Sequence, residues 1–145
     1  YMGGWFEEWL YHTLKKELQL GKDHIGFNVK IKSENSKKLT ESDNEIDIVF
    51  LYKNSLYIVE CKVYNQNQIN RKRITDAIYK VSSIRQSLGL RATALVAILS
   101  PFGNDSQRIT NINDTKRLAG VREVFSLEDF KNKEKFIESL KKIIL

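Results

Sequence analysis

The amino-acid sequence predicts an α/β fold: a mixed central β-sheet flanked by helices. Three observations carry that prediction. Two consecutive runs, Glu45 to Tyr52 and Leu56 to Val63, are rich in β-branched and aromatic residues and apolar on both faces, as strands covered on each side are. Apolar series with helical spacing stand before and after them. The elements then alternate along the chain in the order α-β-β-β-α-β-α-β-α, which suits helices layered on a sheet.

The first helix follows Gly3-Gly4, where Trp5, Phe6, Trp9, Leu10, Thr13, Leu14 and Leu18 recur at amphipathic spacing up to a stop near Gly21. Trp5 and Trp9, one turn apart, are read as core rather than as base-stacking side chains. Phe27, Val29 and Ile31 alternate with Asn28, Lys30 and Lys32, a half-buried strand, and a polar loop runs from there through Ser42. The two apolar runs are separated by Lys53-Asn54-Ser55 and form an antiparallel hairpin. Ile74, Ala77, Ile78, Val81, Ile84 and Leu88 make a long second helix, with Gly89 as its stop. Thr93 to Leu99 is a buried strand, Arg108 to Leu118 a weak helix, and Val121 to Phe125 a short strand. Ser126-Leu127-Glu128-Asp129 starts a C-terminal amphipathic helix carried by Phe130, Phe136, Ile137, Leu140 and Ile144.

With 145 residues, 41% of them apolar, the chain can bury about two-thirds of its unfolded surface as a single domain spanning residues 1–145. One proline, Pro101, and the lack of repeats or serine- and glycine-rich linkers suggest no second domain. The chain begins at Tyr1; either Met2 is the true start behind a tag remnant, or a domain has been excised from a longer protein. Cys61 is the single cysteine and no leading segment has the pattern of a signal peptide, so a cytoplasmic, reducing setting is expected. No apolar run approaches the roughly 20 residues of a spanning helix, so no membrane association is expected. Lysine and arginine outnumber aspartate and glutamate by 24 to 18, a net charge of +6, which favours polyanionic partners without proving one.

Within the hairpin, Asn44-Glu45-Ile46-Asp47 is followed, twelve residues after Asp47, by Glu60-Cys61-Lys62. Alternation along a strand puts Glu60 and Lys62 on one face and Cys61 on the other, buried face. If Asn54-Ser55 is a two-residue turn, Val49 pairs with Glu60 and Asp47 with Lys62, and all three polar groups converge; a three-residue loop would send Asp47 to the opposite side. Charges at central strand positions are costly unless they bind something. Carboxylate oxygens suit Mg2+ or Mn2+, and the histidine and cysteine spacing of a zinc site is missing, with His12 and His24 each alone. Lys62 would then face a scissile phosphate or an attacking water, which completes the parts needed for phosphodiester hydrolysis. The plainer alternative is a salt-bridged cluster on a partly exposed strand. Glu45 shares the face of Asp47 but lies near the strand end, where it can be simply solvated.

The order of elements and this hairpin constellation resemble the PD-(D/E)xK nuclease superfamily, with its restriction-endonuclease-like core, over most of the chain. More closely, Gly4-Trp5-Phe6-Glu7-Glu8, Asn44-Glu45-Ile46-Asp47, Ile58-Val59-Glu60-Cys61-Lys62 and Ala77-Ile78-Tyr79-Lys80 together look like the nuclease domain of CRISPR ancillary nucleases. In those proteins a cyclic-oligoadenylate-sensing CARF domain precedes the nuclease domain. The resemblance implies Asp47 and Glu60 as metal ligands, Lys62 as the catalytic lysine and Glu7 as an acidic residue of the first helix facing the site; Glu8, about 100° away on the helix, would not face it. No sensing domain is read within these residues.

Two basic features complete the candidate site. Lys80 stands at the border of the apolar stripe of the second helix, where a lysine can snorkel to a phosphate, and the resemblance makes it a substrate or active-site contact. Arg71-Lys72-Arg73 suits counterion-releasing contacts with backbone phosphates, or is a solvated helix start. The expected function is therefore divalent-metal-dependent endonuclease cleavage of single-stranded DNA or RNA, or nicking of DNA, by a chain that also forms a homodimer. The alternatives are a repair, restriction or junction-resolving nuclease with the same core, and a nucleic-acid-binding or dimerisation module without catalysis.

Overall fold

In the computed structural model, residues 4–30, 45–65, 71–88, 92–100 and 106–144 are described, with side chains at all of them except 71 and 106–110. The two most apolar runs of the sequence form its centre. β2 (Glu45–Tyr52) and β3 (Ser55–Val63) are antiparallel, joined by a two-residue turn at Lys53-Asn54. Both turn residues take left-handed backbone, φ 49° and 65°, the type I′ geometry whose twist matches that of the flanking strands. The turn is thus one residue earlier than the expected Asn54-Ser55, and Val49 pairs with Ile58 rather than with Glu60. The register moves by two, so the expected face parity is kept along the paired part of the hairpin.

β1 (Ile25–Lys30) adds antiparallel to the outer edge of β2, while β4 (Ala92–Leu99) and β5 (Glu123–Phe125) add parallel beyond β3. The result is a mixed five-stranded sheet in the order β1-β2-β3-β4-β5, an α/β architecture. Its two faces carry separate apolar layers. Phe6, Leu10 and Leu14 of α1 (Gly4–Glu17), with Phe136, Ile137 and Leu140 of α5 (Lys133–Ile144), cover one face. Ile74, Ala77, Ile78 and Val81 of α2 (Arg71–Leu88), with Ile112 of α3 (Ser106–Ala119), cover the other. Burying each fully enclosed Ile or Leu contributes roughly 1.5–3 kcal/mol. β3 is central because both its faces are covered: Tyr57, Val59 and Cys61 face the first layer and Ile58 the second.

Several expectations need correcting. The C-terminal helix is two helices: α4 (Leu127–Phe130) ends after one turn, and Asn132 accepts the Lys135 N–H at 3.1 Å to start α5. Asn132 caps well and competes with helix propagation. Trp5 is 57% exposed, because the stripe of α1 that meets the sheet passes through Phe6 and Leu10; Trp9 is half-buried against Phe6 and Phe130. Phe27 is also exposed, on an edge strand. The polar loop through Ser42, the strand residues Ile31 and Lys32, the stop at Gly89 and Pro101 lie outside the described residues.

Candidate active site

The ladder between β2 and β3 ends at Ile48↔Val59. Beyond it β2 stays with β1 through Val29↔Ile46 and Lys30↔Glu45, and β3 stays with β4 through Lys62↔Ile98. The sheet therefore forks, and the fork is where the charged residues of both strands lie. Regular alternation of β2 also breaks there: Ile48 and Phe50 belong to the first apolar layer but Ile46 to the second. Asp47, between them, turns its carboxylate across the fork and accepts the Cys61 backbone N–H on Oδ2 at 2.8 Å. A side chain thus takes the place of a lost backbone partner, which keeps a buried N–H satisfied.

Glu60 is the buried member, 1% exposed. Its Oε1 receives two ammonium groups, Lys80 Nζ at 3.0 Å and Lys62 Nζ at 3.4 Å. Burial, and then the neighbouring charge of Asp47, push the Glu60 carboxyl up to about 7 against the pull of both lysines. Burial also raises Asp47, opposed by the Cys61 N–H, the two lysines and a hydrogen bond with Glu60. For Lys62, burial acts to lower the ammonium, but Glu60, Tyr64 and Asp47 outweigh it and raise the group. Two acidic and two basic side chains thus share one half-enclosed spot.

An open cleft of about 570 Å³ lies over this cluster, lined by residues that include Glu7, Glu45, Asp47, Lys62 and Lys80. Glu7 comes from the sheet-facing side of α1 and is 6% exposed; its charge acts on Cys61 beneath the fork. Glu8 also lines the cleft but at its outer wall, paired with His12 in solvent at 3.9 Å. The structure therefore brings Glu7, Asp47, Glu60, Lys62 and Lys80 together. The basic cluster stands apart from them: Lys72 and Arg73 are exposed at the start of α2, and the side chain of Arg71 lies outside the description. Arg73 connects back to the site through Tyr64, whose ring lies 5.7 Å from the guanidinium and whose hydroxyl donates to the Arg73 carbonyl at 3.4 Å.

Tyr64 was not among the residues expected in the site, although its position two residues beyond Lys62 puts it on the same strand face. Phe27 and Asn28, which also line the cleft, gave no such signal, because strand alternation assigns neighbours to opposite faces.

For a divalent cation the chain offers the adjacent carboxylates of Asp47 and Glu60. Among the described residues no group of three or more His, Cys, Asp or Glu side chains is arranged as a metal site. Two carboxylates fit Mg2+ or Mn2+, which keep several waters and share the rest of their sphere with substrate phosphate. They lack the nitrogen and sulfur donors from which zinc sites are mostly built.

Among the solved structures that share this fold are two longer proteins. Protein VC1899 from Vibrio cholerae superposes with a TM-score of 0.68 and 22% identity, covering 96% of this chain and 34% of that one. Can2 from Sulfobacillus thermosulfidooxidans, solved in complex with cyclic tetra-adenylate, gives 0.66 and 22%, covering 99% of this chain and 36% of that one. The chain thus spans about a third of the length of either. No curated protein matches it significantly. The sequence pattern of the Card1-like endonuclease domain, however, matches residues 1–136, nearly the whole chain, and the chain belongs to the Card1-like endonuclease domain family.

Proposed function

We propose that this endonuclease domain is of the PD-(D/E)xK type, cleaves phosphodiester bonds with the help of Mg2+ or Mn2+, and serves CRISPR-linked antiviral defence. The observation that carries the reading is the meeting of Asp47, Glu60 and Lys62 at the fork of the sheet, under an open cleft. Asp47 and Glu60 would hold the cation. When bound, it would supply neutralisation of phosphate charge and a water of lowered pKa. Lys62, relieved of its pairing with Glu60, has an ammonium free to stabilise negative charge developing on the phosphate. Lys80 keeps the Glu60 carboxylate in place from the helix side, and Glu7 adds negative charge at the cleft wall. Arg71, Lys72 and Arg73, in the first turn of α2, are the residues proposed to contact backbone phosphates outside the cleft.

The substrate proposed is single-stranded DNA or RNA, or duplex DNA that is nicked, and the surroundings are those of the cytoplasm. Among the described residues no helix is long and apolar enough to cross a membrane. A second copy of this chain and a sensing domain outside it are the protein partners of the proposal; the binding of a cyclic tetra-adenylate by the longer Can2 supports the latter. The test is cleavage of labelled single-stranded and duplex DNA and RNA, with Mg2+, with Mn2+ and with chelator. Cleavage that is lost in chelator and restored by either cation supports the reading. Equal cleavage in chelator, or none on any substrate, refutes it.

A further inference from the structure

β1 does not run straight past the fork. Within Ile25–Lys30, Asn28 takes φ 51°, left-handed backbone between the ladder pairs Phe27↔Ile48 and Val29↔Ile46. A regular strand separates residues three apart by roughly 10 Å and turns them to opposite faces. Yet a Cβ built on Gly26 would come within 2.7 Å of Val29 Cγ2. The strand is therefore kinked at Asn28, and a side chain at position 26 would force Val29 to shift. Left-handed non-glycine residues inside a strand are costly and concentrate at ligand-contacting positions.

The kink changes what faces the cleft. Phe27 and Asn28 are neighbours that would alternate in a regular strand, and both line the cleft together with Asp47 and Lys62. The Phe27 ring leans on Tyr11, centroids 5.7 Å apart, and stays 39% exposed. An aromatic residue and an amide residue, neighbours in the chain, thus border the same cleft as Lys62, Lys80 and Asp47. Lysines recognise phosphate, whereas a ring paired with a donor and acceptor amide matches a nucleobase: a π-face to stack on and polar edge groups to bond.

We infer that Phe27 and Asn28 form a nucleobase subsite beside the catalytic carboxylates, taking one unstacked base of the substrate next to the phosphate that is cut. The inference rests on the nuclease reading and adds to it a specificity-determining pair. Phe27 stacks on the base, and the Asn28 amide bonds its polar edge. Base stacking on an aromatic side chain tolerates any base, so the subsite selects for an accessible base rather than for a sequence.

The test uses single-stranded DNA and RNA oligonucleotides with one abasic site moved stepwise along them. They are bound to the Glu60→Gln protein so that cleavage does not consume them, and affinity is read by anisotropy. At one position the abasic site should weaken binding about tenfold. Phe27→Leu in the same background should weaken binding of the intact oligonucleotide by a similar factor and abolish the penalty of the abasic site. Asn28→Gly, which keeps the kink without strain, should also weaken binding while holding or raising Tm. Losses from Phe27→Leu and the abasic site that multiply, or an abasic scan without any sensitive position, overturn the subsite. If the parent protein shows metal-dependent cleavage that needs Lys62 but no such coupling, only the subsite falls. If it neither binds nor cleaves any of the oligonucleotides, the nuclease reading falls with it.

Discussion

The carboxylate of Asp47 accepts the backbone N–H of Cys61 at 2.8 Å, just beyond the last ladder pair of the central hairpin, Ile48↔Val59. That bond does two things at once. It satisfies a buried donor that the fork would otherwise orphan, and it fixes the Asp47 carboxylate beside Glu60, the pair proposed to hold the cation.

The two roles of Asp47 separate by substitution. Asp47→Asn keeps an oxygen for the Cys61 N–H but removes the charge, so Tm should change little while Mn2+ affinity by calorimetry falls tenfold or more. Asp47→Ala should lose cation affinity equally and also cost about 1–3 kcal/mol of stability for the stranded N–H. Equal Tm for both variants would show that the bond to Cys61 contributes nothing.

Glu60 makes the metal-free protein sensitive to pH. Its carboxyl is raised from an ordinary 4.5 to about 7, so the folded state holds its proton more tightly than the unfolded chain does. Its contribution to stability is therefore fully present below about 4.5 and is lost as pH rises through about 7. The shift corresponds to about 3 kcal/mol. Thermal unfolding in chelator should show Tm declining across this window, and Glu60→Gln should flatten the decline. Lys80→Met, by removing a charge that lowers the Glu60 carboxyl, should extend the decline to higher pH. A parent profile as flat as that of Glu60→Gln would mean that folding does not raise the Glu60 carboxyl.

Neutralising Arg71, Lys72 and Arg73 together should weaken nucleic-acid binding and flatten its dependence on salt. Three lost phosphate contacts on a single strand remove about 2 from the slope of log affinity against log salt. Cleavage at saturating substrate should fall much less. An unchanged slope would identify the cluster as a solvated helix start.

Most of the fold is legible in the sequence because its signals are local. The two-sided apolar runs of β2 and β3 specify central strands, and the spacing from Ile74 to Ile84 specifies α2. The convergence of Asp47, Glu60 and Lys62 is legible because face parity survives a register shift of two residues. What is illegible depends on tertiary context. Trp5 and Phe27 carry apolar rings, but their exposure is decided by how α1 and β1 sit on the sheet. The split at Asn132 is a competition between a good cap and helix propagation. The kink at Asn28 shows only when Gly26 is seen against Val29, and the double pairing of Glu60 with Lys62 and Lys80 joins a strand to a helix twenty residues away.

The central claim is that Glu60 and Lys62 carry the chemistry, and the most direct measurement is the single-turnover cleavage rate of Glu60→Ala and Lys62→Ala beside the parent. Each variant is checked for fold by circular dichroism and for binding by anisotropy. Both variants should remain folded and bind nucleic acid, and both should cleave at least about 100-fold more slowly, with cation affinity lost only for Glu60→Ala. A folded Glu60→Ala protein that cleaves at the parent rate would contradict the assignment of this site as the catalyst.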